Sequence, residues 1–364
     1  MTAQGGGNWP NSDLLQRLGL QVPIALSPML GAGGVDLAVA VSRAGGLGSL
    51  PCASLSAAQV VAQAKAFRAV TSGPLNLNFF CHADQPARPS ELAAWRSALQ
   101  PFYQELDTAP DSSRAAPARQ PFSEAMCVAV EGLRPEVVSF HFGLPASGLL
   151  QRVKATGALV CSTATTVQEA LWLEAAGCDV IIAQGLEAGG HRGTFLDVNP
   201  HTQMGVLALV PQVVDRVRLP VVAAGGIADG RALVAALALG ASAVQIGTAY
   251  LLTPESMISG VYRDALKHAD NVSTVLTNVF SGRLARGLNN RLIETLGPVS
   301  AIVPEFPHAA DALAPLKAAA EDLARNDFTA LWAGQAAAST REQGAEQLTR
   351  LWAEQALGWL RGDG

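Results

Sequence analysis

Residues 221–248 read VVAAGGIADGRALVAALALGASAVQIGT, and this stretch decides the fold. It contains two short apolar runs, 221–224 and 243–247, on either side of an Ala/Leu-rich segment, 231–239, of helical composition. Short continuous apolar runs are typical of strands that are buried on both faces. Strands that alternate with helices pair in parallel through right-handed crossovers. The stretch therefore predicts one strand-helix-strand unit of a parallel sheet, with a glycine at or directly after the end of each strand.

The same alternation extends toward the N-terminus, where further apolar runs precede this unit. The predicted strands are residues 24–29, 47–50, 75–80, 137–140, 159–162, 180–184, 221–224 and 243–247. The helical segments between them are 35–44, 57–70, 90–106, 146–156, 167–176, 206–217 and 231–239. Eight such units close a barrel, although a doubly wound open sheet also alternates. Polar residues and glycines at the carboxyl ends of the strands favour an α/β fold of the (β/α)8 TIM-barrel type, because barrel enzymes carry their active sites there.

The length of the chain implies more than a barrel. At 364 residues it exceeds the roughly 250 residues that a barrel typically takes. We expect residues 1–258 to form the barrel, completed by C-terminal helices within 326–364, and residues 259–325 to form a smaller, mostly helical second domain or lid inserted after strand eight. The Pro-rich segment 81–133 is expected to hold one helix and loops over the barrel mouth.

The composition argues against several classes of protein. The chain is 49% hydrophobic and 15% charged, which is typical of a globular protein. Its formal net charge of -5 and the lack of a basic run give no reason to expect nucleic acid or an anionic membrane surface as partner. The first 13 residues lack the apolar core of a secretory signal, and no apolar run reaches the about 20 residues that cross a bilayer. We therefore expect a cytoplasmic protein.

The cysteines and acidic residues give no sign of a disulfide framework or a metal site. The five cysteines are widely spaced without a Cys-x-x-Cys pair, so they are interpreted as buried apolar residues. No spacing of His, Asp and Glu indicates a metal site, and no Gly-x-Ser-x-Gly elbow indicates a serine hydrolase.

Two glycine-containing strand ends predict a phosphate site. Gly225 and Gly226 follow strand seven, and Gly247 and Thr248 end strand eight. Glycine lets backbone N–H groups approach an anion closely, and barrels commonly bind phosphate at these two strands. Either cluster alone is equally consistent with a tight turn. Neither matches a dinucleotide or P-loop fingerprint, so the expected ligand is a mononucleotide-type cofactor.

The densest polar cluster is residues 184–193, QGLEAGGHRG, which begins at the end of strand six. Its glycine-rich backbone could lie against a flat ring and aim an imidazole into the barrel mouth. Histidine suits proton abstraction because its ordinary pKa lies near working pH, so His191 is the candidate base. His141, after strand four, is equally consistent with a substrate or flavin contact and with a structural hydrogen bond. The remaining histidines are interpreted as surface or packing residues: His82, His201, His268 and His308.

At these residues the sequence resembles the nitronate monooxygenases, a family of FMN-dependent barrel enzymes. The resemblance covers about residues 20–360 and rests on PIALSPM at 23–29, NLNF at 76–79, SFHFG at 139–143, the 184–193 loop, AGGIADG at 224–230 and QIGT at 245–248. It implies that His191 is the catalytic histidine. It also implies an FMN site lined by Met29, Asn78, Gln184, Gly189, Gly190, Gly225, Gly226, Gln245, Gly247 and Thr248.

The resemblance further implies a reaction in which an alkyl nitronate, such as propionate 3-nitronate, is oxidised with O2 to a carbonyl compound and nitrite. The expected partners are a small nitronate or nitroalkane and O2, with a homodimer as the candidate assembly. His141 and Tyr103 are the candidate substrate contacts, and Arg286 and Lys267 are candidate cations for the anionic substrate. Some family members place tyrosines near the site from the C-terminal helical region, where this chain has alanines at 336–338. This departure puts the substrate range in question.

Two other functions remain open at the level of sequence. An FMN-dependent NAD(P)H:quinone reductase or enoyl-acyl carrier protein reductase would share the glycine-rich strand ends and the loop histidine, although residues 139–143 favour the nitronate enzyme. A flavin-free barrel that binds a phosphosugar would keep strands seven and eight but would have no need of the 184–193 loop along a ring.

Overall fold

The computed structural model describes residues 9–83, 85–110, 119–269 and 274–363. Eight strands form its central sheet, and each coincides with a predicted apolar run to within a few residues. They are β1 (Ile24–Leu26), β2 (Gly48–Pro51), β3 (Leu75–Phe80), β4 (Val137–His141), β5 (Leu159–Ala164), β6 (Val180–Gln184), β8 (Val221–Ala224) and β9 (Ala243–Ile246). The short strand β7 (Gly190–His191) lies outside this sheet.

The central sheet closes on itself. Its strand order is β1-β9-β8-β6-β5-β4-β3-β2, and every ladder within it is parallel. The first and last strands of this order meet through backbone hydrogen bonds, from Leu26 N–H to Leu47 O and from Leu47 N–H to Ile24 O, both 2.9 Å. The predicted (β/α)8 barrel is therefore confirmed.

The two-residue period of each strand separates an outer layer from an inner one. On β3, Leu77 and Phe79 belong to the large core between strands and helices, whereas the alternate residue Asn78 belongs to the other face and lines the cavity at the barrel mouth. A smaller apolar cluster, which includes Ala25, Val137 and Leu159, comes from the alternate positions of the other strands. At the carboxyl ends of the strands the inner positions become polar: Asn78, His141, Thr163, Gln184 and Gln245.

Helices lie around the sheet, and several of them cover its apolar outer layer. They are α1 (Asp13–Leu18), α2 (Val35–Arg43), α3 (Ala57–Val70), α4 (Pro89–Glu105), α5 (Glu124–Leu133), α6 (Ser147–Ala155), α7 (Val167–Ala175), α8 (Val206–Val214), α9 (Gly230–Ala238), α10 (Gly260–Lys267), α11 (Arg291–Leu296), α12 (Ala309–Asp322) and α13 (Ala345–Arg361). The last of these, α13, packs on α2 and α9 and buries Leu348 and Trp352 in the main core. The C-terminal helix therefore returns to the barrel, as its helical spacing of apolar residues predicts.

A second apolar core lies outside the barrel. Trp95 and Tyr103 of α4 pack in it with Leu313 and Leu316 of α12 and with Phe328. Beside it, β10 (Thr274–Thr277), β11 (Ala285–Leu288) and β7 form an antiparallel sheet in the order β10-β11-β7. The sequence analysis did not predict these three strands. The boundaries proposed for the second domain, 259–325, stay a prediction.

The segment between β3 and β4 contains two helices, so the prediction of a single helix there is wrong. It holds α4 and also α5, where the Ser123 hydroxyl accepts a hydrogen bond from the Met126 N–H and Met126, Cys127 and Val130 are buried. The surrounding prolines hid this short amphipathic pattern. Part of the predicted loop at 110–121, residues 111–118, lies outside the described residues.

Three further observations bear on the excluded classes. No helix in the described part of the chain is long and apolar enough to cross a membrane. Among the same residues, no cluster of three or more His, Cys, Asp or Glu side chains is placed to hold a metal ion. The cysteines are free, and all are buried except Cys81, which is half-buried. Burial raises the pKa of the Cys52 and Cys178 thiols to about 12, which makes both poor nucleophiles.

Candidate active site

A cavity of about 710 Å³ opens at the carboxyl ends of the barrel strands. This volume lies within the range of about 300–1,000 Å³ that is usual for ligand pockets. It is lined by twelve of the site residues singled out in the sequence: Met29, Asn78, His141, Gln184, Gly189, Gly190, His191, Gly225, Gly226, Gln245, Gly247 and Thr248. The structure thus brings together residues that are spread over more than half of the chain.

One wall of the cavity carries a set of free backbone N–H groups. Gly225 and Gly226 leave β8 with φ of 122° and 69°, a conformation that favours glycine. Gly247 and Thr248 follow β9 and begin a 3-10 turn. Within the described residues, none of these four N–H groups donates a hydrogen bond. They form a cradle, and a Cβ at Gly225 would lie 3.0 Å from Ala188 N.

Hydrogen bonds from the side chains of Gln184 and Arg192 hold the 184–193 loop in place. The Gln184 side chain donates to His191 O at 3.0 Å and accepts from the Gly193 N–H at 2.9 Å. The buried Arg192 donates to the carbonyl oxygens of Gly185 and Gln184. Gln184 therefore both lines the cavity and fixes the loop, and Arg192 has a positioning role.

Gly189 serves packing more than ligand approach. A Cβ on this residue would lie 2.5 Å from Gly334 N, so the loop rests directly on the backbone of the 333–334 segment. The Gly334 N–H in turn donates to Thr248 Oγ1 at 2.9 Å, and the Gln335 N–H donates to Glu187 O at 2.9 Å. Hydrogen bonds thereby join the 184–193 loop, the 334–335 segment and the turn after β9.

The His191 side chain lines the cavity, and its ring is near those of Phe306 and Trp332, with centroid distances of 5.4 Å to each. Its Nε2 lies 2.9 Å from Ser281 Oγ, and Ser281 donates to the carbonyl oxygen of Arg283. Because a hydroxyl has one hydrogen to give, His191 Nε2 donates to Ser281. This tautomer leaves Nδ1 with a lone pair.

Burial sets the charge state of both cavity histidines. It lowers the pKa of His191 well below the usual value, and the positive charge of Arg119 lowers it further. Burial also lowers the pKa of His141 to about 3. Both imidazoles are therefore neutral at pH 7, the state in which His191 can accept a proton.

Both ring nitrogens of His141 form hydrogen bonds within the protein. Its Nε2 donates to His191 O at 3.2 Å, because a carbonyl only accepts, and its Nδ1 accepts from the Thr163 hydroxyl at 3.0 Å. His141 thus supports the backbone of His191 while its ring lines the cavity. This arrangement favours the structural hydrogen bond among the two roles that the sequence left open.

The remaining candidates lie elsewhere. Tyr103 is buried in the second core, where its hydroxyl donates to Ala312 O, and it does not line the cavity. Its position does not support the predicted substrate contact. Arg286 donates to Leu186 O outside the cavity, and Lys267 pairs with Glu342 at 2.7 Å.

Besides Lys317 of α12, sequence reasoning missed a cation that lines the cavity, Arg119. It lies within the Pro-rich insertion, where no motif or period marks it, and only the fold brings it beside His191. The aromatic side chains around His191 were also missed, because Phe306 and Trp332 come from segments remote in the sequence.

Comparisons with known proteins agree with this architecture. The family described as Nitronate monooxygenase matches residues 11–352. A nitronate monooxygenase of Pseudomonas aeruginosa is 44% identical over 94% of this chain and 98% of its own. The solved structure of nitroalkane oxidase from Streptomyces ansochromogenes has a TM-score of 0.87 at 36% identity and covers 97% of this chain and 100% of its own. That of FabK from Thermotoga maritima has a TM-score of 0.71 at 25% identity, with 96% and 98% covered.

Proposed function

Because the chain belongs to the nitronate monooxygenase family, we propose that it binds FMN and oxidises alkyl nitronates, such as propionate 3-nitronate, with O2 to a carbonyl compound and nitrite. One observation carries the proposal: a single cavity joins a cradle of free backbone N–H groups to the neutral imidazole of His191. The cradle suits a phosphate and the imidazole suits a carbon acid.

The residues present fit FMN. Gly225, Gly226, Gly247 and Thr248 would hold the phosphate, since their N–H groups have no acceptor among the described residues and glycine lets the backbone approach an anion closely. The inner polar layer at the strand ends, together with Met29, would hold the ring system. Bound FMN supplies electron transfer between the substrate and O2, so no nicotinamide is consumed.

The protein's own part in this chemistry is to place and deprotonate the substrate. His191 Nδ1 would accept the carbon-bound proton of a neutral nitroalkane, while Ser281 fixes the tautomer that leaves Nδ1 unprotonated. An already deprotonated nitronate does not need this step. The rings of Phe306 and Trp332 beside His191 exclude water, which strengthens polar interactions inside the site.

The decisive test is an anaerobic absorbance spectrum of the FMN-loaded protein with propionate 3-nitronate and, separately, with NADH. We expect the nitronate alone to reduce the flavin, and nitrite to appear once O2 is admitted. Bleaching by NADH alone would support the reductase instead, and a protein that takes up no FMN would support the flavin-free barrel. The homodimer and the cytoplasmic location stay predictions from the sequence.

A further inference from the structure

Arg119 stands at the rim of the barrel, at the point where the long insertion returns to the sheet. The next residues are fixed by the backbone: the Gln120 N–H donates to Ala53 O at 3.1 Å, and the Phe122 N–H donates to Phe80 O at 2.7 Å. These bonds attach the segment to the carboxyl ends of β2 and β3. The position of Arg119 is therefore set by the barrel itself.

Within the described ranges, the guanidinium of Arg119 has no hydrogen bond or ion pair. Its side chain lines the cavity with Phe80, His141 and His191, and its buried Nε makes no hydrogen bond to any residue that the structure describes. The Asp311 carboxylate acts on it electrostatically, without an ion-pair contact in the described ranges. A buried donor left unsatisfied is costly, which indicates that a ligand supplies the acceptor.

The positive charge of Arg119 acts on His191, the candidate base. After burial, it is the largest cause of the lowered pKa of His191. Two neighbouring arginines make contacts elsewhere: Arg283 stacks on Phe142 at 4.0 Å and donates to Thr194 O, although its buried Nε has no acceptor among the described residues. Arg192 donates to backbone carbonyl oxygens of the 184–193 loop. Arg119 and Lys317 both line the cavity, and of these two Arg119 carries a buried nitrogen that lacks an acceptor among the described residues.

We propose that Arg119 is the anion anchor of this site and that its guanidinium binds a planar two-oxygen anion, which positions the reacting carbon beside His191. The fork of N–H donors on arginine matches such an anion in two parallel hydrogen bonds. Two substrate groups share this chemistry: the nitronate itself and a carboxylate carried elsewhere on the molecule. The inference rests on the proposed function, since it names the group that selects the substrate.

The test compares the FMN-loaded wild type with Arg119→Met and Arg119→Lys, using propyl-1-nitronate and propionate 3-nitronate as substrates. Nitrate, a planar anion that does not react, is titrated in parallel and followed by the flavin absorbance. We expect Arg119→Met to raise KM by about 10- to 100-fold with a smaller change in kcat, and to weaken nitrate binding similarly. Arg119→Lys should fall between, because it keeps the charge and loses the fork. Arg361→Met, which removes an exposed arginine of α13, is the matched control.

The pattern of losses identifies the bound group. A higher KM for both substrates assigns the nitronate to Arg119, and a higher KM for propionate 3-nitronate alone assigns the carboxylate; both support the anchor. An Arg119→Met protein that keeps FMN, KM and nitrate affinity overturns it, as does one whose defect is loss of FMN alone. A wild type that consumes neither nitronate contradicts the proposed function, whereas the nitrate titration still reports on Arg119.

Discussion

At the scale of single residues, the site depends on keeping one imidazole neutral and correctly protonated. The surroundings of His191 achieve both, since burial lowers its pKa and Ser281 accepts its Nε2–H. His141 adds no free nitrogen, because its ring is bound to Thr163 and to the backbone of His191. His191 is therefore available for proton transfer, and His141 supports the backbone of His191 through a hydrogen bond.

Replacing His191 by Asn should separate the two classes of substrate. We expect kcat/KM for a neutral nitroalkane to fall by about 10²- to 10⁴-fold, because general-base catalysis is lost, while turnover of propionate 3-nitronate falls much less. Steady-state oxygen consumption with both substrates measures this, with His268→Asn as the control because His268 is exposed directly after α10. Equal losses on both substrates would argue against proton abstraction.

The same neutral imidazole predicts the acid limb of the pH profile. The base is active while unprotonated, and its pKa in the folded protein lies well below 6.5. We therefore expect kcat/KM for a neutral nitroalkane to stay constant as the pH falls through 6.5 and to decline only at lower pH. A decline centred near pH 6.5 would show that an exposed histidine, not His191, is the base.

At the scale of elements, the 184–193 loop is shaped by what it touches on its far side. Its strand β7 pairs with β11, so that His191 is in register with Ala285, and Gly189 rests on the 333–334 backbone. The loop that carries the base is thus held by segments that follow the barrel in sequence. The antiparallel sheet β10-β11-β7 is therefore a structural part of the site.

Gly189→Ala should therefore damage the site although it adds only one methyl group. Its Cβ would lie 2.5 Å from Gly334 N, and backbone cannot move aside as a flexible side chain does. We expect a loss of about 1–3 kcal/mol in the free energy of unfolding, together with weaker FMN retention. Denaturant titration and flavin content measure the two effects. Gly132→Ala on α5 is the control, since its Cβ meets nothing within 4 Å; a similar loss there would remove the argument.

The elements also show what the sequence can and cannot predict. β3, β6 and β8 have the predicted bounds, and β6 and β8 are apolar runs that end at Gln184 and before Gly225. β7, β10 and β11 were missed. β7 has only two residues and therefore no detectable period, and its partner β11 lies far along the chain. The candidate site residues on strand ends and glycine loops come together because parallel strands end on one face. Arg119 could not be found this way, because it lies in an insertion.

At the scale of the whole molecule, burying neutral histidines links folding to pH. The pKa of His141 is about 3 in the folded chain and about 6.5 when unfolded, so the unfolded state binds more protons between these values. Stability is full above pH 6.5 and falls as the pH drops toward 3. At pH 5 we expect His141 to contribute a loss of about 2 kcal/mol. Thermal unfolding from pH 7 to pH 5 measures it, and His141→Gln should show a shallower decline; equal slopes would contradict this linkage.

The closure of the barrel has a consequence for how the chain is made. β1 completes its ladder only with β9, where Ile24 lies opposite Val244, and α13 then covers α2 and α9 together. During synthesis the first strand therefore emerges from the ribosome long before the partner that satisfies its second edge. Contacts between such distant segments close slowly, and unpaired strand edges invite aggregation. The nascent barrel consequently spends most of its translation open along the seam between β1 and β9, with one edge of β1 unpaired.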